Sequence, residues 1–308
     1  MNIIVTGGLG FIGSHIVDRL VQEGYQVYVI DNLSTGNENN LHPKTKWYQI
    51  DILDLEKLKS IFEEVKPVAV FHLAAQIDVQ KSIQMPSFDA QSNIIGTLNI
   101  LECCKIYQSK CIYSSSAAVY GTPHYLPVDE KHPIQPLSNY GISKFSPELY
   151  IQSYAKLYDL KYVILRYANV YGPRQMVKGE GGVISSFINK MINDEPPTIF
   201  GMGAQTRDFI FVKDVVSANL AALKLNINST CNISTNQRIS VIDLFKSINQ
   251  ILNKKIVPDF KAERLGDIDH SCLDNSLSKA VLDWQPRFTF TEGLKETCHY
   301  VASNKQIS

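Results

Sequence analysis

No stretch of this 308-residue sequence approaches the roughly 20 consecutive apolar residues that a membrane-spanning helix needs, so no membrane partner is expected. Charge of one sign is missing too: 30 Lys and Arg stand against 30 Asp and Glu, and the formal net charge is zero. Without a basic field there is little to attract a polyanion, which argues against nucleic acid as a partner. The six cysteines (Cys103, Cys104, Cys111, Cys231, Cys272 and Cys298) form no CxxC pair, and the seven histidines form no HExxH. Neither a disulfide framework nor a metal site is expected, and the cysteines read as free thiols. The first β-branched run begins at Asn2, with no basic stretch or cleavable apolar segment before it, so a cytoplasmic protein is expected. What the chain does have is 44% apolar against 19% charged residues, enough to bury a large core.

Two periodicities alternate over the first 165 or so residues. Short apolar runs at 2–6 (NIIVT), 26–30 (QVYVI), 68–72 (VAVFH), 111–115 (CIYSS) and 162–166 (YVILR) read as strands buried on both faces. Between them lie helical patterns at 11–23, 54–64, 88–107 and 140–158, the first carrying Ile12, Ile16 and Leu20 at fourfold spacing and stopping at Gly24. Strand and helix alternating at this spacing predict a doubly wound parallel α/β sheet, with ligands beyond the carboxyl ends of the strands. After Asn169, glycine and proline punctuate shorter elements, with helices expected at 183–193, 241–253 and 291–303. The division expected is a dinucleotide-binding domain over 1–168 and a smaller α/β substrate lobe over 169–308, with a segment near 208–235 returning to the first domain.

Thr6-Gly7-Gly8-Leu9-Gly10-Phe11-Ile12-Gly13 follows the first strand and opens the first helix. Glycines at 7, 10 and 13 leave the backbone open to a pyrophosphate and let the helix pack close to the strand, whose partner helix aims unpaired N–H groups at the phosphates. Asp31, at the end of the second strand, is placed to accept both ribose hydroxyls of an adenosine and to repel a 2′-phosphate. No Arg or Lys follows within Asn32-Leu33-Ser34-Thr35, which favours NAD over NADP. Further along, Tyr140-Gly141-Ile142-Ser143-Lys144 puts a phenol and an ammonium four residues apart on one helical face. A phenol near pKa 10 is a poor base at neutral pH, and a neighbouring cation favours its phenolate. Ser114-Ser115-Ser116 ends the preceding strand and delivers hydroxyls where a substrate should lie.

These residues carry a resemblance. The chain resembles the extended short-chain dehydrogenases/reductases, which have a Rossmann sheet, and within them is most similar to the UDP-glucose 4-epimerases. The resemblance rests on TGGLGFIG (6–13), DNLSTG (31–36), DILD (51–54), FHLAA (71–75), SSSAAVYG (114–121), YGISK (140–144), RYANVYGPR (166–174), RDFIFVKDV (207–215) and RLGD (264–267). It implies tightly bound NAD, with Gly7, Gly10, Phe11, Ile12, Gly13, Asp31 and Asn32 at the phosphates and adenosine, and Asp51 and Ile52 bordering the adenine. Leu73, Ala74, Ala75, Asn93, Ser114 and Tyr167 would complete the cofactor site, and Lys144 would bond the nicotinamide ribose. Ser116, Tyr140 and Lys144 would be catalytic. Asn169, Val183, Phe200, Arg207, Arg264 and Asp267 would hold UDP, with the arginines on its diphosphate. Where some epimerases of this group carry a lysine near the cofactor, this chain has Ile77.

All relatives on this scaffold begin by oxidising the sugar at C4. The 4,6-dehydratases carry an acid pair after the Ser/Thr and the decarboxylases a Glu at the second of those positions, but here both are alanine, Ala117 and Ala118. A methyl group moves no proton, so what remains is oxidation and re-reduction at C4. In the resembling family, the residue at Ser271 flanks the C2 substituent; a small side chain implies that UDP-glucose/galactose and UDP-GlcNAc/GalNAc both enter. Lys178 and Arg174 keep a uronic acid nucleotide open as an alternative substrate, and a non-catalytic NAD-binding sensor or scaffold is the reading from another class. A homodimer through a four-helix bundle is implied by the family and by apolar stripes on more than one face of 88–107 and 140–158.

Overall fold

Burial on both faces decides the architecture. The computed structural model describes residues 1–176, 182–263 and 268–305. In its first half, strands β1 (Asn2–Thr6), β2 (Gln26–Ile30), β3 (Lys46–Tyr48), β4 (Ala69–His72), β5 (Lys110–Ser116) and β6 (Tyr162–Tyr167) alternate with helices α1 (Phe11–Gln22), α2 (Leu55–Val65), α3 (Val79–Gln84), α4 (Pro86–Ala90), α5 (Gly96–Tyr107) and α6 (Asn139–Tyr158). The second half holds β7 (Asn169–Tyr171), α7 (Val183–Ile192), β8 (Thr198–Phe200), β9 (Thr206–Arg207), β10 (Phe209–Phe211), α8 (Val212–Lys224), β11 (Ser229–Ile233), β12 (Ile239–Ser240), α9 (Val241–Ile251), β13 (Asp259–Lys261), α10 (Ser276–Leu282) and α11 (Phe290–Lys305).

The central sheet runs β11-β6-β5-β4-β1-β2-β3, and every pairing is parallel. The order reverses between β1 and β4, and the crevice of a doubly wound sheet opens at that reversal. Ile3, Val5, Val29, Phe71, Ile112 and Leu165 pack on one face of the sheet, against α1 and α8; Ile4, Ile30, Val70, Cys111, Tyr113 and Ile164 pack on the other, against α2 and α5. Each such side chain contributes about 1.5–3 kcal/mol of burial. A third core, with Phe187, Ile188, Ile199, Leu244, Phe245, Ile248 and Leu294, organises the smaller lobe.

Local sequence explains the element ends. The Asp54 carboxylate accepts from the Lys57 amide to start α2, which stops where Lys66 turns left-handed at φ 47°. Ser240 caps α9, whose buried Val241, Leu244, Phe245 and Ile248 follow the helical repeat. The helix expected over 88–107 is broader than that: α4 runs through a turn of π-helix at Gln91–Ile95 into α5. The wide turn rotates Asn93 inward, where it is buried. All six cysteines carry buried free thiols. Among the described residues no helix is long and apolar enough to cross a membrane, and no group of three or more His, Cys, Asp or Glu is placed to hold a metal ion.

Candidate active site

The crevice begins at the glycine turn. A Cβ on Gly13 would lie 2.1 Å from the Gly7 carbonyl oxygen, so only glycine lets α1 start this close to β1. Gly10 occupies the N-cap of α1 and no side chain caps that end, so the first-turn N–H groups around Phe11 and Ile12 face the turn. The Asp31 carboxylate closes the far end of the turn, accepting from the Leu9 and Leu33 amides at 2.9 Å each. Burial raises its proton affinity, and the same two amides oppose that rise. Each oxygen retains a lone pair for a hydroxyl, and Gly36 leaves the space beside it open, since a Cβ there would sit 2.7 Å from Oδ1. An uncapped helix end, a glycine cradle and a carboxylate acceptor at the second strand suit a dinucleotide with a free 2′-hydroxyl. Gly13→Ala is expected to weaken NAD binding by at least about tenfold, because α1 must shift off the turn; a fluorescence titration of NADH checks it.

The remaining cofactor candidates line both sides. Exposed Asn32 donates to Asp51 Oδ2 at 2.8 Å, and the Ile52 side chain lies against Gly96. Leu73 and Ala74 are half-buried, and both amides donate to Thr6 Oγ1 at 3.2 Å; Ala75 follows them, also half-buried. Asn93, Ser114 and Tyr167 lie behind this wall with their polar ends engaged by protein. Asn93 exchanges hydrogen bonds with the Gln76 backbone and donates to Ser143 Oγ at 2.9 Å. Ser114 Oγ and Tyr167 OH meet at 3.0 Å, and Tyr167 also bonds Asn219.

The proton-moving candidates come together where β5 ends and α6 begins. Ser138 caps α6 by accepting from the Gly141 amide, and the Tyr140 amide donates to Ser82 Oγ at 3.1 Å. Gly141 lets this turn close on the chain just past Ser116, since a Cβ there would lie 2.6 Å from the Ala118 carbonyl oxygen. Ser116 Oγ, half-buried, accepts from the Ala118 amide. One turn on, Lys144 is 4% exposed, with its Nζ 4.7 Å from the centre of the Tyr113 ring.

Two residues to which the sequence assigns no role support these walls. His72, within FHLAA, is fully buried between Thr6 Oγ1 (2.7 Å from Nδ1) and Thr97 Oγ1 (2.9 Å from Nε2). Thr6 already accepts two amides and Thr97 donates to the Asn93 carbonyl at 2.6 Å, so Thr6 donates to Nδ1 and Nε2 donates to Thr97. The ring is therefore neutral, and burial drives its pKa down to about 3, with the Lys144 charge adding to the effect. A base whose folded pKa is depressed stabilises the fold above its unfolded value near 6.5 and loses that contribution as pH falls. His72→Gln should accordingly flatten the loss of stability between about pH 6.5 and 4 seen in denaturant titrations.

Asp208 is the second. It accepts from the Thr235 amide (3.0 Å) and hydroxyl (2.7 Å) and from the Asn236 amide (3.1 Å), tying β9–β10 to the loop after β11. Beside it, Arg207 Nη1 donates to the Thr206 carbonyl, whose oxygen also accepts from the Ser271 amide at 3.1 Å. Arg207 and Ser271 thus stand on adjoining segments. Asn169 is exposed at the start of β7 in register with Phe209, Val183 opens α7, and Phe200 ends β8 opposite Lys261. Arg264, Asp267 and Lys178 lie outside the described residues. Arg174 is described: it pairs with Asp18 at 2.8 Å on α1.

Residues 3–234 match the profile of the NAD dependent epimerase/dehydratase family. The chain is 46% identical over 307 residues, 99% of each sequence, to a Methanocaldococcus jannaschii protein provisionally named UDP-glucose 4-epimerase. A Thermotoga maritima UDP-glucose 4-epimerase solved with UDP-glucose superposes with a TM-score of 0.97 at 44% identity, covering 100% of both chains. A UDP-N-acetylglucosamine 4-epimerase from Methanobrevibacter ruminantium, solved with UDP-N-acetylmuramic acid, gives 0.94 at 39% identity over 98% of both. With its parallel sheet, glycine turn and Tyr-Lys helix in place, the chain belongs to the NAD-dependent epimerase/dehydratase family.

Proposed function

We propose that this protein is an NAD-dependent 4-epimerase of UDP-hexoses, acting on UDP-glucose/UDP-galactose and also on UDP-GlcNAc/UDP-GalNAc. The observation that carries the reading is the junction of β5 and α6: Tyr140 begins a helix turn pressed against the chain just after Ser116, and the two positions there are methyl groups, Ala117 and Ala118. Proton traffic is thereby confined to one hydroxyl and one phenol, which serves oxidation and re-reduction at C4 and offers no acid for dehydration. When bound, NAD supplies the hydride exchange at C4. Tyr140 takes the 4-hydroxyl proton, directly or through Ser116, and returns a proton to the new alkoxide after the 4-keto sugar has turned over. Lys144 holds the nicotinamide ribose and favours the Tyr140 phenolate. Asn93, Ser114 and Tyr167 fix the wall behind the cofactor.

For the sugar to present its other face, the grip must fall on UDP and leave the hexose loose. Asn169, Val183, Phe200, Arg207, Arg264 and Asp267 are assigned to UDP. Ser271, small and next to Arg207, leaves room at C2, and the likeness to an epimerase of an N-acetylated sugar supports that assignment. Ser271→Tyr is expected to lower kcat/KM for UDP-GalNAc by at least about tenfold while UDP-galactose changes less than about threefold. Equal losses on both sugars would remove Ser271 from specificity.

The assembly proposed is a homodimer. Ile106 on α5 and Ile142, Leu149, Tyr150 and Leu157 on α6 are exposed in the single chain, which supports pairing of these helices about a twofold axis. The buried free thiols fit a reducing compartment, in keeping with the cytoplasm.

A further inference from the structure

We infer that the ring of Tyr113 is the seat that keeps the Lys144 ammonium charged and in place, so that Tyr113, itself buried, is a positioning residue setting the proton affinity of Tyr140. The inference rests on the reading of Tyr140 as the acid/base group. Lys144 Nζ lies 4.7 Å from the Tyr113 ring centre, and the two residues are 4% and 2% exposed. Burial on its own would strip the proton from a lysine. The negative face of an aromatic ring compensates, and it does so most where water is excluded. Burial holds the ring in place, and the Tyr113 hydroxyl, donating to the Lys144 carbonyl at 3.2 Å, also joins β5 to the turn of α6 that carries the ammonium.

The neighbour of Tyr113 on the adjoining strand, His72, leaves that charge undiluted. The His72 ring lies 5.8 Å from that of Tyr113, tilted by 37°. The threonine hydroxyls on both its nitrogens hold it neutral, so His72 adds no positive charge beside the ammonium. The titratable groups that act on the Tyr113 ring are Cys111 on β5 and Tyr140 and Glu148 on α6; Arg166 on β6 and Asp89 on α4 lie one hydrogen bond further out. The Glu148 carboxylate is held by Arg166 and Ser115, and Asp89 accepts from Gln76 at 2.7 Å. Cys111 is a buried thiol. Lys144, Tyr113 and His72 bring ammonium, π face and neutral imidazole together from α6, β5 and β4.

The test replaces Tyr113 by phenylalanine and then by mono-, tri- and pentafluorophenylalanine, which keep the ring's size while removing its negative face in steps. The Tyr140 pKa is read from phenolate absorbance, each protein differenced against the same protein carrying Tyr140→Phe, and thermal melts confirm that each is folded. With Tyr113→Phe the pKa should stay near that of the parent. Along the fluorinated series it should climb by about one unit in all, about tenfold less phenolate at a fixed pH, and the acid limb of the pH–rate profile should move with it. A pKa that is flat along the series overturns the inference, as does a shift with Tyr113→Phe as large as that with the pentafluoro ring. The optical titration needs no sugar, so a chain inactive on UDP-hexoses would overturn the proposed function and leave this series to decide the role of Tyr113.

Discussion

Replacing Tyr140 by phenylalanine is expected to lower the epimerisation rate by about 10²–10⁴-fold, the range that a positioned acid/base group contributes. The substitution removes one oxygen and leaves the supports of the turn intact. The Ser138 cap on the Gly141 amide, the Tyr140 amide bond to Ser82 Oγ and the Asn139 bond to the Ser82 carbonyl involve no phenol. Lys144 and the glycine turn also remain, so melting temperature and NAD content should match the parent. That combination separates a chemical role from a structural one: a rate within tenfold of the parent would take proton transfer away from Tyr140, and lost NAD would show that the phenol holds the cofactor.

The largest stability effect is expected one turn further along α6. Arg166 and Glu148 form an ion pair of 2.5 Å with side chains 6% and 0% exposed. The carboxylate also accepts from Ser115 Oγ, and Arg166 Nη1 donates to Tyr120 OH at 2.8 Å, which donates to Asn232 Oδ1 at 2.7 Å. The network joins α6 to β5, β6 and β11, the frame that aims Tyr140 and Lys144. Glu148→Ala would leave a buried guanidinium uncompensated, at a cost of about 3–5 kcal/mol by denaturant titration. Combining Glu148→Leu with Arg166→Met removes both charges and should recover most of that loss. A single substitution costing less than about 1 kcal/mol would show that water reaches the pair.

The parallel sheet was legible because its strands are apolar runs of usable length bounded by glycines and amphipathic helices. Strand β3 (Lys46–Tyr48) has three residues at the sheet edge, and β11 carries Ser229, Thr230 and Asn232 among its five, so neither has the apolar signal of a buried strand. The wide turn at Gln91–Ile95 adds a residue to a continuous helix, and its sequence is ordinary for a helix. In the site, the Tyr140–Lys144 pair could be read from spacing because both residues share one helix. Tyr113, His72 and Asp208 could not. Their roles depend on elements far apart in sequence: His72 meets Thr6 across 66 residues and Thr97 across 25. The one local sign was a polar residue within an apolar strand (the His of VAVFH), a position where an imidazole is buried only with partners on both nitrogens.

The most direct measurement is the conversion of UDP-galactose and of UDP-GalNAc, in parallel, by the purified protein with no NAD added, the epimers being resolved by chromatography. Formation of both UDP-glucose and UDP-GlcNAc is predicted, because the proposed reaction regenerates NAD in each cycle and the small Ser271 would leave C2 unobstructed. No epimer from either sugar, even after NAD is supplied to the folded protein, would contradict the account.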